Sequence, residues 1–313
     1  MIRTGLIGLF GLGTGIGTGI AIEKYRRDGQ PIRFGNVLAA KPFDSQIANT
    51  PSTGIDKTNR DMSVDSKLDY TPKSSKRIEE IARHGFPSLD TIRSFDNFIL
   101  SYDRRNRTAN WVLEHLNREQ ISGEPIDRST MEFFEDSSIH EYFRATNLDY
   151  KGSGYDRGHL AAAGNHRLDK KQCSQTFVLS NISPQVGKGF NRDMWNKLEK
   201  YCRYKANRSD NLWVCTGPLY LPKRETDGKL YVKYQVIGKN HVSVPTHFFK
   251  VLVIEQKGVF DLEAYVMPNT AIDDKTPLES FRVPVDTIER AAGLLFFQRI
   301  PRKQFRTING KTV

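Results

Sequence analysis

The sequence predicts an α+β fold in which a central, mostly antiparallel sheet is flanked by helices. Strand-like segments, rich in β-branched and aromatic residues, follow one another with short connections, and this favours antiparallel pairing. Two segments with helical periodicity would pack their apolar sides on that sheet. The chain of 313 residues is long enough for a sizeable core, and we place the folded domain at residues 77–313.

Residues 1–27 are predicted to be a targeting segment or a membrane anchor. Gly5–Ile22 contains no charged residue, basic residues flank it, and its length of about 18 residues just reaches what a membrane-spanning helix needs. Gly11, Gly15 and Gly19 form small-xxx-small spacings, which could pack transmembrane helices. A cleaved import signal or a secretory signal is the alternative.

Residues 28–76 are predicted to be a disordered linker. Polar residues and proline dominate this stretch, and its few apolar residues have no period. Ordered structure should begin near Arg77, with a short helix from Ile78 to Gly85.

Seven segments of the domain are predicted to be strands: residues 98–102, 109–115, 177–181, 212–216, 231–237, 246–254 and 262–267. The fourth should stop at Gly217-Pro218. Alanines 161–163 favour a helix, and a late helix should begin at Val285 with Asp286 as its cap. His115 is interpreted as a structural residue.

The segment Asp156-Arg157-Gly158-His159 carries a candidate for phosphate chemistry. Arg157 and His159 lie two residues apart, so on an extended backbone both side chains leave by the same face. A guanidinium offers a planar set of donors to phosphate oxygens, and a neutral imidazole can accept a proton from water. Gly158 would allow a close approach or an unusual φ. Taken alone, the triplet fits an ordinary surface or core histidine equally well.

A helix predicted from Asn191 supplies a candidate metal site. Its buried stripe consists of Met194, Trp195, Leu198 and Cys202. Asn191 and Glu199 fall about 80° apart around this helix, so both can border one cleft. Their oxygens are hard ligands of the kind that Mg²⁺ prefers. The alternative is that Asn191 only caps the helix and Glu199 is a solvated surface residue.

These motifs together resemble the DNA/RNA non-specific endonucleases of the ββα-metal class. The residues that carry the resemblance are Asp156, Arg157, Gly158, His159, Asn181, Gln185, Asn191, Trp195 and Glu199, and it extends from about Ile78 to about Arg299. It implies a ββα-metal motif within the domain. It also implies metal-dependent hydrolysis of phosphodiesters in DNA and RNA, with little sequence preference and 5′-phosphate ends.

The resemblance assigns roles to individual residues. It makes His159 the general base, Asn191 the direct ligand of a single Mg²⁺ or Mn²⁺, and Glu199 the residue that holds metal-bound water. Arg157 contacts phosphate, and Asn181 orients the catalytic site. The nucleic-acid contacts expected from it are Arg157, Gln185, Lys188 and Arg192.

Partners and location follow mainly from the same resemblance. The net charge of +11 suits a phosphate-binding surface. The resemblance implies a homodimer in the mitochondrial intermembrane space, anchored in the inner membrane through residues 5–22. It further implies release to the nucleus and degradation of DNA in apoptosis.

Two other classes of function are open at this point. One is a zinc site formed by His159, His166 and Cys173, which recur at seven-residue intervals, although no Cys-x-x-Cys supports it. The other is a non-catalytic nucleic-acid-binding protein that stacks bases on Tyr155 and Phe190. The three cysteines are widely spaced, which argues against a disulfide framework.

Overall fold

A computed structural model describes Arg83 and residues 88–313. Residues 91–313 lie in one compact unit. Arg83 and residues 88–90 belong to a second unit and lie outside helices and strands. The predicted targeting segment 1–27, the linker 28–76 and the helix at Ile78 fall outside the described residues. None of the described helices is long and apolar enough to cross a membrane.

The domain is built on one eight-stranded sheet, in the order β1-β2-β3-β6-β11-β12-β13-β14. Every neighbouring pair is antiparallel except β12 and β13, which are parallel. The predicted mostly antiparallel sheet with flanking helices is therefore confirmed. Its strands are β1 Thr91–Ser94, β2 Phe98–Asp103, β3 Thr108–Leu116, β6 Asn211–Leu219, β11 His247–Gln256, β12 Val259–Pro268, β13 Phe305–Ile308 and β14 Lys311–Thr312.

Three two-stranded ribbons and five α-helices complete the described architecture. The ribbons pair β4 Asp156–His159 with β5 Ile182–Gln185, β7 Lys223–Arg224 with β8 Leu230–Tyr231, and β9 Val236–Ile237 with β10 Val242–Ser243. The helices are α1 Arg118–Ile121, α2 Asn147–Tyr150, α3 Lys170–Gln175, α4 Asn196–Ala206 and α5 Val285–Ala292. A π-helical segment, Gly187–Trp195, leads directly into α4. Single 3₁₀ turns lie at Glu141–Phe143, Ala163–Asn165, Leu179–Asn181, Leu278–Phe281 and Arg302–Gln304.

Strand β11 shows how the sheet forms a core on each face. Phe248 and Leu252 belong to the cluster that packs against α4, whereas Phe249, Val251 and Val253 belong to the cluster that packs against α5. This alternation is what period-two side-chain placement requires of a strand buried on both faces. We call the helical stretch from Asn191 to Ala206 the metal helix. The buried stripe predicted for it is confirmed, since Met194, Trp195, Leu198 and Cys202 are all buried.

Three of the predicted strands are wrong in part. Residues 177–181 form no strand, because a 3₁₀ turn ends at Asn181 and the strand follows it as β5. Within residues 231–237, only Tyr231, the last residue of β8, and Val236–Ile237, which form β9, lie in strands. Strand β6 continues through Gly217-Pro218 to Leu219, with Pro218 opposite Phe248.

The structure also corrects two details of the predicted helices. Of the alanines 161–163, only Ala163 enters a helical turn, and that turn is a single 3₁₀ turn. Pro284, not Asp286, stands at the N-cap of α5, and Asp286 lies in its first turn. There its carboxylate complements the helix dipole.

Candidate active site

The ribbon β4–β5 carries the Asp-Arg-Gly-His segment. Gly158 pairs with Ser183 and His159 with Ile182, and the π-helical segment begins two residues after β5 ends. Arg157 and His159, two residues apart on this strand, both line the same cleft, as the strand alternation predicts. Two paired strands followed by a helix are the local arrangement that the sequence analysis expected.

Gly158 is needed because Gln185 lies against it. A Cβ at Gly158 would lie 2.1 Å from Cδ of Gln185. The backbone at Gly158 has no positive φ, so the reason for glycine here is a close side-chain approach. Gln185 is fully buried and does not line the cleft, and its contact with nucleic acid stays a prediction.

A kink at Gly189 sets the start of the metal helix. Gly189 has a φ of 83°, and a Cβ there would lie 2.8 Å from Ala271. The helix then continues with π-type turns, and Asn191 N donates to Val186 O at 2.9 Å. The α-helix predicted from Asn191 is therefore wrong over its first turn. The wider turn lets Asn191 and Asn196 line the same cleft, and π turns recur at functional sites.

The cleft encloses about 440 Å³ and brings the central predicted residues together. Its lining is Arg128, Ser129, Arg157, His159, Ala163, Phe177, Asn191, Asn196 and Glu199. The sequence analysis gave no role to Arg128, Ser129 or Asn196. The first two lie in an irregular polar stretch with no period, and Asn196 lies where the π-helical segment passes into α4.

His159 lies in an aromatic setting within this cleft. Its ring centroid is 5.4 Å from that of Phe133 and 4.8 Å from that of Phe177. Burial lowers the pKa of His159 from 6.5 to about 3, and the nearby Arg128 acts in the same direction. Nε2 is buried without a hydrogen-bond partner among the described residues. The imidazole is therefore neutral at neutral pH, and its Nε2 is not used by the fold.

Asp156 fixes the side chain of Asn191. Asn191 Nδ2 donates to Asp156 Oδ2 at 2.9 Å. Arg192 also donates to this carboxylate, from Nε to Oδ2 at 2.8 Å and from Nη2 to Oδ1 at 2.6 Å. The hydrogen bond from Arg192 is the main reason that the pKa of Asp156 is lowered. With its amide nitrogen engaged, Asn191 presents Oδ1, which accepts no hydrogen bond within the described structure. Asp156 is thus a positioning residue for which the sequence analysis named no role.

Glu199 is the second oxygen donor of the cleft. Burial raises the pKa of Glu199, while the positive charges of Lys250 and Arg203 oppose that rise. No hydrogen bond from residues 88–313 satisfies its carboxylate. A hard amide oxygen and a carboxylate, both without protein partners in one cleft, fit a divalent cation.

Lys250 is a buried cation beneath the cleft that sequence reasoning missed. Its Nζ donates to Thr216 Oγ1 at 2.8 Å and lies 4.8 Å from the centroid of the Trp195 ring. The side chain stands between Phe248 and Leu252 in the row that faces α4. Apolar residues usually occupy such fully buried positions, so the charged Lys250 is an unusual feature of the core beneath the cleft.

Asn181 lies behind the cleft and does not line it. It is fully buried, and its Nδ2 donates to Ala161 O at 3.0 Å and to Thr176 O at 2.8 Å. Its Oδ1 accepts from Ala161 N at 2.9 Å. These bonds hold the chain that follows His159 and use the whole amide of Asn181.

The two remaining predicted nucleic-acid contacts also lie outside the cleft lining. Lys188 is exposed at the kink. Arg192 is exposed but forms the ion pair with Asp156, so its guanidinium is already occupied by a carboxylate.

The three residues of the zinc alternative have separate partners. His166 Nε2 lies 3.2 Å from Glu114 Oε1, and Cys173 Sγ donates to Ala163 O at 3.7 Å. Within the part of the chain that the structure describes, no group of three or more His, Cys, Asp or Glu residues is placed to hold a metal ion.

Comparison with known proteins adds a match over most of the domain. The profile of the DNA/RNA non-specific endonuclease family matches residues 79–303. The chain belongs to the DNA/RNA non-specific endonuclease family. It is an enzyme, a nuclease that acts on DNA and RNA without strong sequence preference, and this confirms the predicted family and function. Membership of a nuclease family excludes the alternative of a non-catalytic nucleic-acid-binding protein.

Relatives within this endonuclease family cover most of the chain. The mitochondrial endonuclease G of Caenorhabditis elegans is 47% identical over 92% of this chain and 91% of its own length. That of Homo sapiens is 54% identical, over 71% of this chain and 74% of its own. The mitochondrial nuclease of Saccharomyces cerevisiae is 37% identical over 96% and 86%.

A solved relative supports the fold independently. A chain in the crystal structure of the EndoG/EndoGI complex is 56% identical, with a TM-score of 0.71, and the match covers 76% of this chain and 98% of that one. Activity in this endonuclease family depends on a metal ion, and the oxygen donors of the cleft suit that dependence.

Proposed function

We propose that this endonuclease hydrolyses phosphodiester bonds with His159 as general base and leaves 5′-phosphate ends. One observation carries the proposal: the buried, unpaired Nε2 of His159 lies in the same cleft as the oxygen donors Asn191 and Glu199. Since the imidazole is neutral, it can take the proton of an attacking water.

The ion that the cleft suits best is Mg²⁺ or Mn²⁺, one per site. Asn191 Oδ1 would hold it directly and Glu199 through water, since both are hard oxygen donors. When bound, such an ion supplies positive charge that offsets the charge on the non-bridging and leaving oxygens of the phosphate. Asp156 contributes by accepting a hydrogen bond from the amide nitrogen of Asn191, which leaves the amide oxygen to face the ion.

Arg157 is placed to contact the phosphate. Its side chain is exposed at the cleft, its Nη1 donates to Asn147 Oδ1 at 2.7 Å, and its Cζ lies 4.3 Å from the centroid of the Phe133 ring. Both contacts hold the guanidinium plane in place. A fixed fork of donors favours the equatorial oxygens of the transition state and costs little reorganisation.

A plasmid-nicking assay with and without EDTA tests this function. Wild-type protein should convert supercoiled plasmid to nicked and linear products only with Mg²⁺ or Mn²⁺. His159→Ala should lose about 10²–10⁴-fold in rate, the usual contribution of a general base. A His159→Ala protein that is folded and cleaves at the wild-type rate would remove His159 from the mechanism. Retardation of the plasmid without metal-dependent cleavage would instead indicate a binding protein.

We infer a mitochondrial location, supported by relatives that are named mitochondrial in animals and in yeast. The intermembrane space with anchoring through residues 5–22, a homodimeric state, and release to degrade nuclear DNA in apoptosis complete this proposal. Amino-terminal sequencing of the protein from purified mitochondria tests it, because retention of residues 5–22 is required for the anchor.

A further inference from the structure

A second depression lies along α4, the helix that also carries Glu199 of the catalytic cleft. A small cavity of about 80 Å³ shares Arg128 and Ala163 with the cleft and shares Arg167 with a depression of about 420 Å³. We call this larger depression the helix groove, and its lining is Ile121, Ser122, Arg167, Lys200, Arg203, Tyr204 and Asn207. The linings therefore adjoin one another, and α4 carries both Glu199 of the cleft and Lys200, Arg203 and Tyr204 of the groove.

The helix groove follows one side of α4 away from Glu199. Lys200, Arg203, Tyr204 and Asn207 recur at the three- and four-residue spacing of a single helix face. At 1.5 Å per residue, Arg203 lies about 6 Å and Asn207 about 12 Å beyond Glu199 along the axis. Successive nucleotides of a strand rise about 3.4 Å in a duplex. For a strand whose duplex axis runs along α4, the groove corresponds to positions about two to four nucleotides from the reacting phosphate.

The charge of the groove is of one sign. Its lining has three cationic side chains, Arg167, Lys200 and Arg203, and no carboxylate. Arg203 Nη1 donates to Asn165 Oδ1 at 3.0 Å, and Arg167 Nε donates to Gly164 O at 2.8 Å, so both guanidinium groups are fixed by the fold. Lys200 is exposed and forms no ion pair within the described structure. Such a lining attracts an anionic chain.

Tyr204 adds an aromatic platform beside these charges. The residue is 50% exposed. The guanidinium carbon of Arg208 lies 4.5 Å from its ring centroid, and the ring of Tyr201 is stacked 6.4 Å away. These contacts leave part of a fixed ring open to solvent. Aromatic rings in basic grooves bind nucleic-acid bases by stacking, whatever the base.

We propose that the helix groove binds the substrate strand about two to four nucleotides from the scissile phosphate. Lys200 and Arg167 contact backbone phosphates there, and Tyr204 stacks on a base. None of these contacts reads a base edge, so the groove adds affinity without sequence preference. The inference rests on the proposed function, since the strand is the one cleaved at His159.

Binding of a fluorescent 30-nucleotide single strand, measured by anisotropy in EDTA, tests the groove without any cleavage. Lys200→Ala should weaken binding by about three- to tenfold, and the slope of log affinity against log salt should fall by about one phosphate contact. Tyr204→Ala should weaken binding by a similar factor, while Tyr204→Phe should restore it, because the ring does the stacking. Lys303→Ala is the matched control, since it removes the same charge at an exposed turn before β13.

Cleavage of long and short substrates separates this proposal from the proposed function. Lys200→Ala and Tyr204→Ala should raise KM for the 30-nucleotide strand and leave cleavage of a dinucleotide unchanged, because a dinucleotide does not reach the groove. His159→Ala should lose both activities. If Lys200→Ala and Tyr204→Ala bind the long strand with the affinity and salt slope of Lys303→Ala, the groove is not part of the substrate path, whatever the result for His159.

Discussion

Asn181 and Asn191 show how differently the two sides of the β4–β5 ribbon use the same residue type. Behind the cleft, the amide of Asn181 forms hydrogen bonds to two carbonyls and one backbone N–H. In the cleft, the amide of Asn191 donates once to Asp156 and leaves its oxygen unpaired. His159 Nε2, Asn191 Oδ1 and the Glu199 carboxylate have no hydrogen-bond partner among the described residues, and all three residues line the cleft. Buried side-chain atoms of Ser183, Gln185 and Trp195, which lie outside the lining, are also without partners.

This difference separates an amide that fixes local geometry from one that can still bind a ligand. A buried polar group without a partner costs free energy, so the fold tolerates one where a ligand is to complete it. A saturated amide, in contrast, has no capacity left for a ligand. The hydrogen bonds therefore distinguish Asn181, whose amide is fully used by the fold, from Asn191, whose amide oxygen remains available to a ligand.

The largest effect on stability is expected for Asn181→Ala. The substitution leaves Ala161 N, Ala161 O and Thr176 O without their partner in a fully buried place. We expect the free energy of unfolding to fall by about 3 kcal/mol, because each unsatisfied buried group costs about 1–3 kcal/mol. Asn191→Ala should change it by less than about 1 kcal/mol. Urea unfolding of the two variants in EDTA makes the comparison, and equal losses would erase the distinction between the two regions.

A smaller effect should appear in the pH dependence of stability. The pKa of His159 is lowered from 6.5 to about 3 in the folded protein, so the unfolded chain binds the proton more readily. The contribution of neutral His159 to stability is complete above pH 6.5 and is lost progressively as the pH falls toward 3. In EDTA, wild-type protein should lose up to about 1 kcal/mol per pH unit below 6.5 relative to His159→Ala. Parallel stability curves for the two proteins between pH 7 and 5 would show that the imidazole is not buried in neutral form.

The sequence predicted most of the sheet and four residues that line the cleft, because both depend on local patterns. Strand alternation places Arg157 and His159 on one face, and helical spacing brings Asn191 and Glu199 to one cleft. The burial of Gln185 was not predicted, because whether a strand side chain faces solvent depends on what packs over it, and here Gln185 packs against Gly158. The π turns, which depend on the positive φ of Gly189, left no periodic signal for Asn196.

Residues that act from a distance could not be found from local pattern. Lys250 lies in an apolar strand. Its contact with Trp195 and its effect on the pKa of Glu199 depend on the helical stretch that carries both residues. Arg128 comes from an irregular segment far from the motif in sequence. Both are brought to the site by tertiary packing alone, for which spacing in the chain carries no information.

The most direct test of the account is the metal dependence of cleavage in Asn191 variants. Initial rates on a plasmid are measured across a Mg²⁺ titration for wild type, Asn191→Ala and Asn191→Asp, with binding of the 30-nucleotide strand in EDTA as the control for folding. The account predicts that Asn191→Ala binds the strand normally but shows no Mg²⁺-dependent cleavage. Asn191→Asp, which keeps a hard oxygen at that position, should retain part of the response. A normal Mg²⁺ titration for Asn191→Ala would contradict the central claim that the unpaired amide oxygen in the cleft holds the ion.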